Sequence, residues 1–105
     1  MAYNILIKGG TVYTGTRDHP VRQDIGITGD RIKTIGNLEG NADKIIDATG
    51  YIVTPGFIDV HNHADMVFPA IRSMLKAEDV PELKGNTNFL FQGVTTIATG
   101  NCGLG

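Results

Sequence analysis

Short apolar segments separated by glycine-containing turns make up the first half of the chain. Six of these segments are rich in β-type residues: 3–8, 11–14, 23–28, 31–35, 44–48 and 51–53. The dipeptides Gly9-Gly10 and Gly29-Asp30 each separate two such segments, which predicts two β-hairpins with tight turns. Two further strands are expected around Thr49-Gly50. Short strands at this spacing are typical of a small β-sandwich, and we assign residues 1–54 to such a domain.

The pattern changes after Pro55-Gly56, because proline cannot continue a central ladder and glycine permits a sharp change of direction. The second half contains an apolar β-type run at 57–63, apolar residues at helical spacing at 66–77, a short helix at 87–92 and a β-branched run at 94–99. A strand, a helical region and a strand in that order predict a right-handed βαβ unit with two parallel strands. We therefore predict a second domain over residues 55–105.

Two histidines stand at the end of the first strand of this second domain. Successive side chains of a strand point to opposite faces, so His61 and His63 are expected on one face together with Asp59. Neutral imidazole is the commonest side-chain ligand of zinc. An unpaired carboxylate on a buried face is costly, and a nearby cation would remove that cost. The pattern predicts a zinc site that also holds Asp59, and a pair of surface histidines on a loop is the alternative.

Three other residues have side chains of types that can bind zinc. Cys102 follows the second parallel strand, and the carboxyl ends of neighbouring parallel strands lie at one edge. From the residues alone, Cys102 is equally consistent with a thiolate ligand and with a small buried hydrophobic residue. Asp65 fits either a partner of a ligand histidine or an exposed loop carboxylate, and we leave it out of the site. His19 lies in a polar loop and is expected to be exposed.

Composition narrows the class of partner. The chain is 41% hydrophobic and 19% charged, which is ordinary for a globular protein. A net charge of −2 without a basic cluster argues against nucleic acid and anionic membranes, and no apolar run approaches the ~20 residues of a membrane helix. A single cysteine and an amino terminus without signal-peptide features indicate a cytoplasmic protein. We expect its partner to be a small molecule.

Two motifs resemble a known family. Residues 55–63 (PGFIDVHNH) resemble the first barrel strand of the amidohydrolase superfamily, whose members are metal-dependent hydrolases on a (β/α)8 barrel. Residues 93–103 (GVTTIATGNCG) resemble one branch of it, the N-acyl-D-amino-acid deacylases or D-aminoacylases. The resemblance implies a mainly β chain with some helix, namely the amino-terminal part of a small β-sandwich followed by the first βαβ unit of the barrel. It also implies that the zinc ligands are His61, His63 and Cys102.

The resemblance implies a reaction as well, the hydrolysis of an N-acyl-D-amino acid to the D-amino acid and a carboxylate. In the family, the proton-shuttling aspartate and further histidine ligands come from later in the barrel. No catalytic residue is therefore expected within this chain. We expect these 105 residues to be an amino-terminal fragment that is inactive by itself and capable of self-association.

Two alternatives remain open. Another amidohydrolase branch, such as a dihydroorotase or hydantoinase, shares the His-x-His strand, and Cys102 in place of a bridging lysine is the distinguishing residue. A non-catalytic β-sandwich binding module is the other, with incidental histidines at positions 61 and 63. Metal analysis separates this module from the enzymes.

Overall fold

Two structural units divide the chain in the computed structural model, Met1–Pro55 and Gly56–Gly105. The structure describes residues 2–64 and 87–100. The helix predicted over residues 66–77 lies outside these ranges. Among the helices in these ranges, none is long and apolar enough to cross a membrane.

The first unit contains one mixed β-sheet. Its strands are β1 Tyr3–Val12, β2 Val21–Thr28, β3 Arg31–Gly36, β4 Ala42–Asp47 and β5 Ile52–Val53. The strand order is β3-β2-β1-β4, and β5 also pairs with β1. Strand β1 is antiparallel to β2 and parallel to both β4 and β5. It is therefore the central strand, with β4 along its first half and β5 beside its end.

The hairpin predicted around Gly9-Gly10 is wrong, because β1 runs straight through both glycines. The pairing of β1 with β2 shifts register between Ile7 and Gly10, and Gly9 has a φ of 72°. A left-handed glycine in a strand produces a β-bulge, which removes a residue from the ladder. The Asp24 carboxylate accepts a hydrogen bond from the Gly9 N–H at 2.8 Å and so satisfies this amide.

The other predicted strands of this unit are found. Strands β2 and β3 form the expected hairpin, and Gly29 in its turn has a φ of 60°, a value that glycine adopts without strain. Strands β4 and β5 flank the predicted turn, where the Tyr51 N–H donates to the Ala48 carbonyl at 2.9 Å. The predicted class, mainly β with little helix, is confirmed.

The core of the first unit lies beside β1. Tyr3 and Leu6 from β1 pack with Leu38, which follows β3. The Tyr3 ring lies against Gly26 of β2, where an added Cβ would stand 2.5 Å from a ring carbon. Only glycine leaves room for this packing.

The described residues of the second unit form two parallel strands and a short helix. They are β6 Phe57–Asp59, α1 Thr87–Leu90 and β7 Val94–Ile97. Strands β6 and β7 pair in parallel, as predicted. After α1, Gly93 adopts a φ of 84° and its N–H donates to the Leu90 carbonyl at 2.9 Å, which ends the helix in the predicted way.

Candidate metal site after strand β6

Strand β6 is shorter than the sequence predicts. It ends at Asp59, whereas the alternating pattern predicted a strand through His63. Side-chain hydrogen bonds to the backbone replace the ladder from this point, beginning with Asp59 Oδ1, which accepts the His61 N–H at 3.1 Å. Asp and Asn side chains often compete with regular structure in this way. The histidines therefore lie on a short loop after the strand.

The loop still brings the two predicted ligands together. The ring centroids of His61 and His63 are 6.1 Å apart, and the ring planes meet at 67°. Zn–N bonds of about 2.0–2.1 Å would separate the centroids of two imidazoles on one ion by roughly 5–6 Å. Both side chains are exposed. The observed separation of the two rings is therefore close to the separation expected for two imidazoles on one cation.

Asn62, between the two histidines, is buried with 8% of its surface exposed. Its Nδ2 group donates to the Asp59 carbonyl at 3.2 Å and to the Ala98 carbonyl at 3.3 Å. Its Oδ1 atom accepts the Ala64 N–H at 3.1 Å. We call these three hydrogen bonds the Asn62 bridge. The bridge connects the ends of β6 and β7 and fixes the loop that carries both histidines.

Asp59 is half-buried at the end of β6. Its carbonyl accepts the Ala98 N–H at 2.8 Å, which continues the parallel pairing by one residue. Its carboxylate is bonded to the His61 N–H and shapes the start of the loop. The role foreseen for Asp59 beside a metal stays a prediction.

The remaining candidates fall into two groups. Cys102 and Asp65 lie outside the described residues. His19 is exposed, as predicted. Within residues 2–64 and 87–100, no three His, Cys, Asp or Glu side chains are placed to hold one metal ion. The described part of the site is thus the pair His61 and His63 on the loop held by the Asn62 bridge.

Sequence reasoning assigned no role to Asn62. Strand alternation predicts that Asn62 lies on the face opposite the histidines. The available signal was its residue type, since Asn at the end of a strand favours side-chain bonds to nearby backbone. The bond to Ala98 had no local signal, because it joins residues 36 positions apart.

Comparisons with known proteins give similar sequences among deacylases and deaminases. No family model matches the chain. It is 39% identical over 103 residues to D-aminoacylase from Alcaligenes xylosoxydans xylosoxydans, covering 97% of this chain and 19% of that protein. It is 40% identical over 102 residues to N-acyl-D-glutamate deacylase from the same organism, covering 96% and 18%. A 5-methylthioadenosine/S-adenosylhomocysteine deaminase from Pyrococcus horikoshii is 39% identical over 89 residues, covering 84% and 20%.

The solved structures that are similar to this chain include the same two kinds of deacylase. A D-aminoacylase described as defining a novel subset of amidohydrolases has a TM-score of 0.74 at 39% identity, covering 96% of this chain and 19% of that one. The N-acyl-D-glutamate deacylase of Bordetella bronchiseptica, complexed with zinc and a phosphonate inhibitor, has a TM-score of 0.73 at 38% identity, covering 98% and 19%. D-hydantoinase has a TM-score of 0.52 at 46% identity, covering 58% and 13%. The chain spans about a fifth of the length of the curated relatives it matches.

Proposed function

Because the chain is a homologue of the D-aminoacylases, a branch of the amidohydrolase superfamily, we propose that it is the amino-terminal portion of a zinc-dependent N-acyl-D-amino-acid deacylase. Its reaction is hydrolysis of the amide of an N-acyl-D-amino acid to the D-amino acid and a carboxylate. We assign residues 1–54 to the start of a small β-sandwich and residues 55–105 to the first two strands of the barrel. The substrate is a small molecule, and neither nucleic acid nor a membrane is a partner.

The observation that carries this proposal is the convergence of two imidazoles just beyond the carboxyl end of a parallel strand. The ring centroids of His61 and His63 lie 6.1 Å apart after β6, and Ala98, the residue after β7, donates its N–H to the Asp59 carbonyl. Barrel enzymes build their sites at this end of their strands. We propose His61, His63 and Cys102 as the zinc ligands of this chain, where nitrogen and thiolate donors suit zinc.

The chain's own residues would contribute metal binding and little else to the reaction. When bound, zinc supplies a Lewis acid that polarises the amide carbonyl and makes water a stronger nucleophile near neutral pH. His61 and His63 hold one side of that site, and the half-buried Asp59 shapes the loop that presents them. We assign no proton-transferring residue to the described part of the chain.

A second candidate is another amidohydrolase reaction, as in the hydantoinases. The 46% identity to D-hydantoinase favours it, but that similarity covers only 58% of this chain. The similarity to D-aminoacylase extends over 97% of it. Deacylation is therefore the better supported activity.

Substrate assays distinguish these reactions. The full-length protein, meaning the complete product of the reading frame that contains these residues, should release D-amino acids from a panel of N-acetyl-D-amino acids that includes N-acetyl-D-glutamate. Hydantoin and 5-methylthioadenosine serve as competing substrates. The 105 residues alone, with added zinc, should give no turnover. Hydantoin opening or deamination without deacylation would assign the protein to another branch.

The ligand assignment is tested by zinc content. In the full-length protein, His61→Ala, His63→Ala and Cys102→Ala should each lower bound zinc, because each removes one proposed ligand. His19→Ala is the matched control, since His19 lies exposed in the first unit. Equal zinc in all four variants and the wild type would refute the assignment.

We also propose a cytoplasmic location. A single cysteine in the 105 residues fits a reducing compartment, where disulfides are rare. Fractionation of cells that express the full-length protein checks this assignment.

A further inference from the structure

The orientation of the Asn62 amide is determined by its neighbours. Two of them are carbonyl oxygens, of Asp59 and Ala98, and these require the NH2 group. The third is the Ala64 N–H, which requires the oxygen. Both the NH2 group and the oxygen of the side chain are therefore hydrogen-bonded, and the residue is 8% exposed. Only an amide of this length meets all three partners.

The Asn62 bridge encloses both histidines. Its bonds reach back to Asp59 and forward to Ala64, so His61 and His63 lie inside the bonded segment. Both histidines are carried on this bonded segment, so its backbone sets where their Cα atoms lie. The bond to Ala98 ties this segment to the end of β7, four residues before Cys102 in the sequence.

From this geometry we infer that Asn62 is a positioning residue for zinc, which fixes the separation of His61 and His63 and holds their loop against the end of β7. The inference rests on the proposed function. The hydrogen bonds of Asn62 are to backbone groups, and its effect passes through the backbone. Partners that orient metal ligands typically change metal affinity about 10–100-fold when they are replaced.

The sharpest test is Asn62→Asp in the full-length protein, because Asp has the same size and adds a negative charge. The charge by itself would tighten binding of a cation. The lost NH2 group would instead place a carboxylate oxygen against two carbonyl oxygens and release the loop. We expect zinc affinity, measured by competition with a chelator, to fall about 10–100-fold. Asn62→Leu, uncharged and of similar shape, should change it in the same direction.

Two further readouts separate positioning from general damage. Both variants should bind the wild-type amount of zinc at saturation, and their cobalt-substituted forms should show altered visible absorption, which reports the coordination of the metal. Asn88→Asp is the matched control, since Asn88 is exposed in α1 of the same unit and undergoes the same chemical change. It should keep wild-type affinity and spectrum.

The outcomes distinguish this inference from the proposed function. If His61→Ala loses zinc while both Asn62 variants keep their zinc affinity within about threefold, the ligand assignment is supported and the positioning role of Asn62 is refuted. Tighter binding in Asn62→Asp would likewise refute it, because charge would then outweigh position. If the wild type binds no zinc through His61 and His63, both proposals fail.

Discussion

At the residue scale, Asp24 shows how one carboxylate stabilises an irregular part of the sheet. It is 5% exposed and accepts the Gly9 N–H at 2.8 Å and the Leu38 N–H at 3.1 Å. The Lys8 ammonium lies 3.6 Å away. Burial alone would raise the pKa of Asp24, but the two backbone N–H groups and Lys8 together outweigh burial, so its pKa lies below the ordinary value of 3.8.

This pKa predicts how stability depends on pH. A carboxyl with a lowered pKa in the folded state binds fewer protons there than in the unfolded chain. Its stabilising effect is therefore complete above about pH 4 and is lost as the pH falls through the lowered value. Asp24→Asn should remove this part of the acid dependence. At neutral pH it should destabilise the chain by roughly 1–3 kcal/mol, because one backbone N–H loses its acceptor.

Urea unfolding of the variant and the wild type measures both effects. The pH should run from about 2.5 to about 7, so that it spans the ordinary aspartate pKa of about 4. Asp30→Asn is the control, because Asp30 is exposed in the β2–β3 turn. An unchanged stability of Asp24→Asn at pH ~7 would show that the carboxylate contributes nothing to the bulge.

The sequence was informative about single residues where the signal was local. The proximity of His61 and His63 could be predicted from a residue type and spacing typical of zinc ligands, and their role as ligands stays a prediction. The roles of Asp24 and Asn62 were missed, because their partners lie 15 and 36 positions away. Residue type shows that a side chain can accept or donate, but only the fold decides which group it meets.

At the element scale, strand β1 illustrates where a local turn signal fails. Gly9-Gly10 satisfies the rule for a tight hairpin, yet β1 continues through both residues. The deciding interactions are non-local, since β4 pairs with residues before the bulge and β5 pairs with residues after it. The hairpin at Gly29-Asp30 was predicted correctly, because its two strands pair with each other across the turn.

The packing of β1 against β2 gives a second prediction at this scale. Gly26→Ala should destabilise the first unit by roughly 1–3 kcal/mol, because the new Cβ would stand 2.5 Å from the Tyr3 ring and force it out of place. Thermal unfolding measures the loss.

A double-mutant cycle isolates this clash. In a Tyr3→Ala background, Gly26→Ala should be almost neutral, because the ring is absent. An equal loss with and without the ring would show that the backbone of β2, and not the clash, explains the effect.

At the scale of the whole molecule, most of the buried hydrophobic side chains among the described residues belong to the first unit. Buried hydrophobic residues of the first unit include Tyr3, Leu6 and Leu38. In the described part of the second unit, Ala64 is the only buried hydrophobic residue. Phe91 is 89% exposed and Ile58 is 66% exposed. Exposed apolar surface of this kind favours association.

We therefore expect the 105 residues by themselves to self-associate through the second unit. Sedimentation velocity should show a mass that rises with concentration. Phe91→Ser should reduce this association, whereas Ile32→Ser, which changes an exposed residue of the first unit, should leave it unchanged. A monomer at all concentrations would contradict the expectation.

The general fold class could be predicted because it depends on many short segments whose patterns agree. The parallel pairing of β6 and β7 was also predicted, from the order of strand, helical region and strand. The length of β6 was not, since Asp59 and Asn62 end the strand with side-chain bonds that hydrophobic periodicity does not register.

The hydrogen bond from Asn62 to Ala98 can form only after Ala98 has been synthesised. It closes a loop of 36 residues, at an entropic cost of roughly 3 kcal/mol. At synthesis rates of about 5–20 residues per second, the histidines leave the ribosome roughly 2–7 s before Ala98 does. During that interval the two histidines are on the nascent chain, and their loop is not yet hydrogen-bonded to Ala98. If Asn62 positions the two histidines as we infer, the zinc affinity of this loop should reach its full value only after β7 has docked.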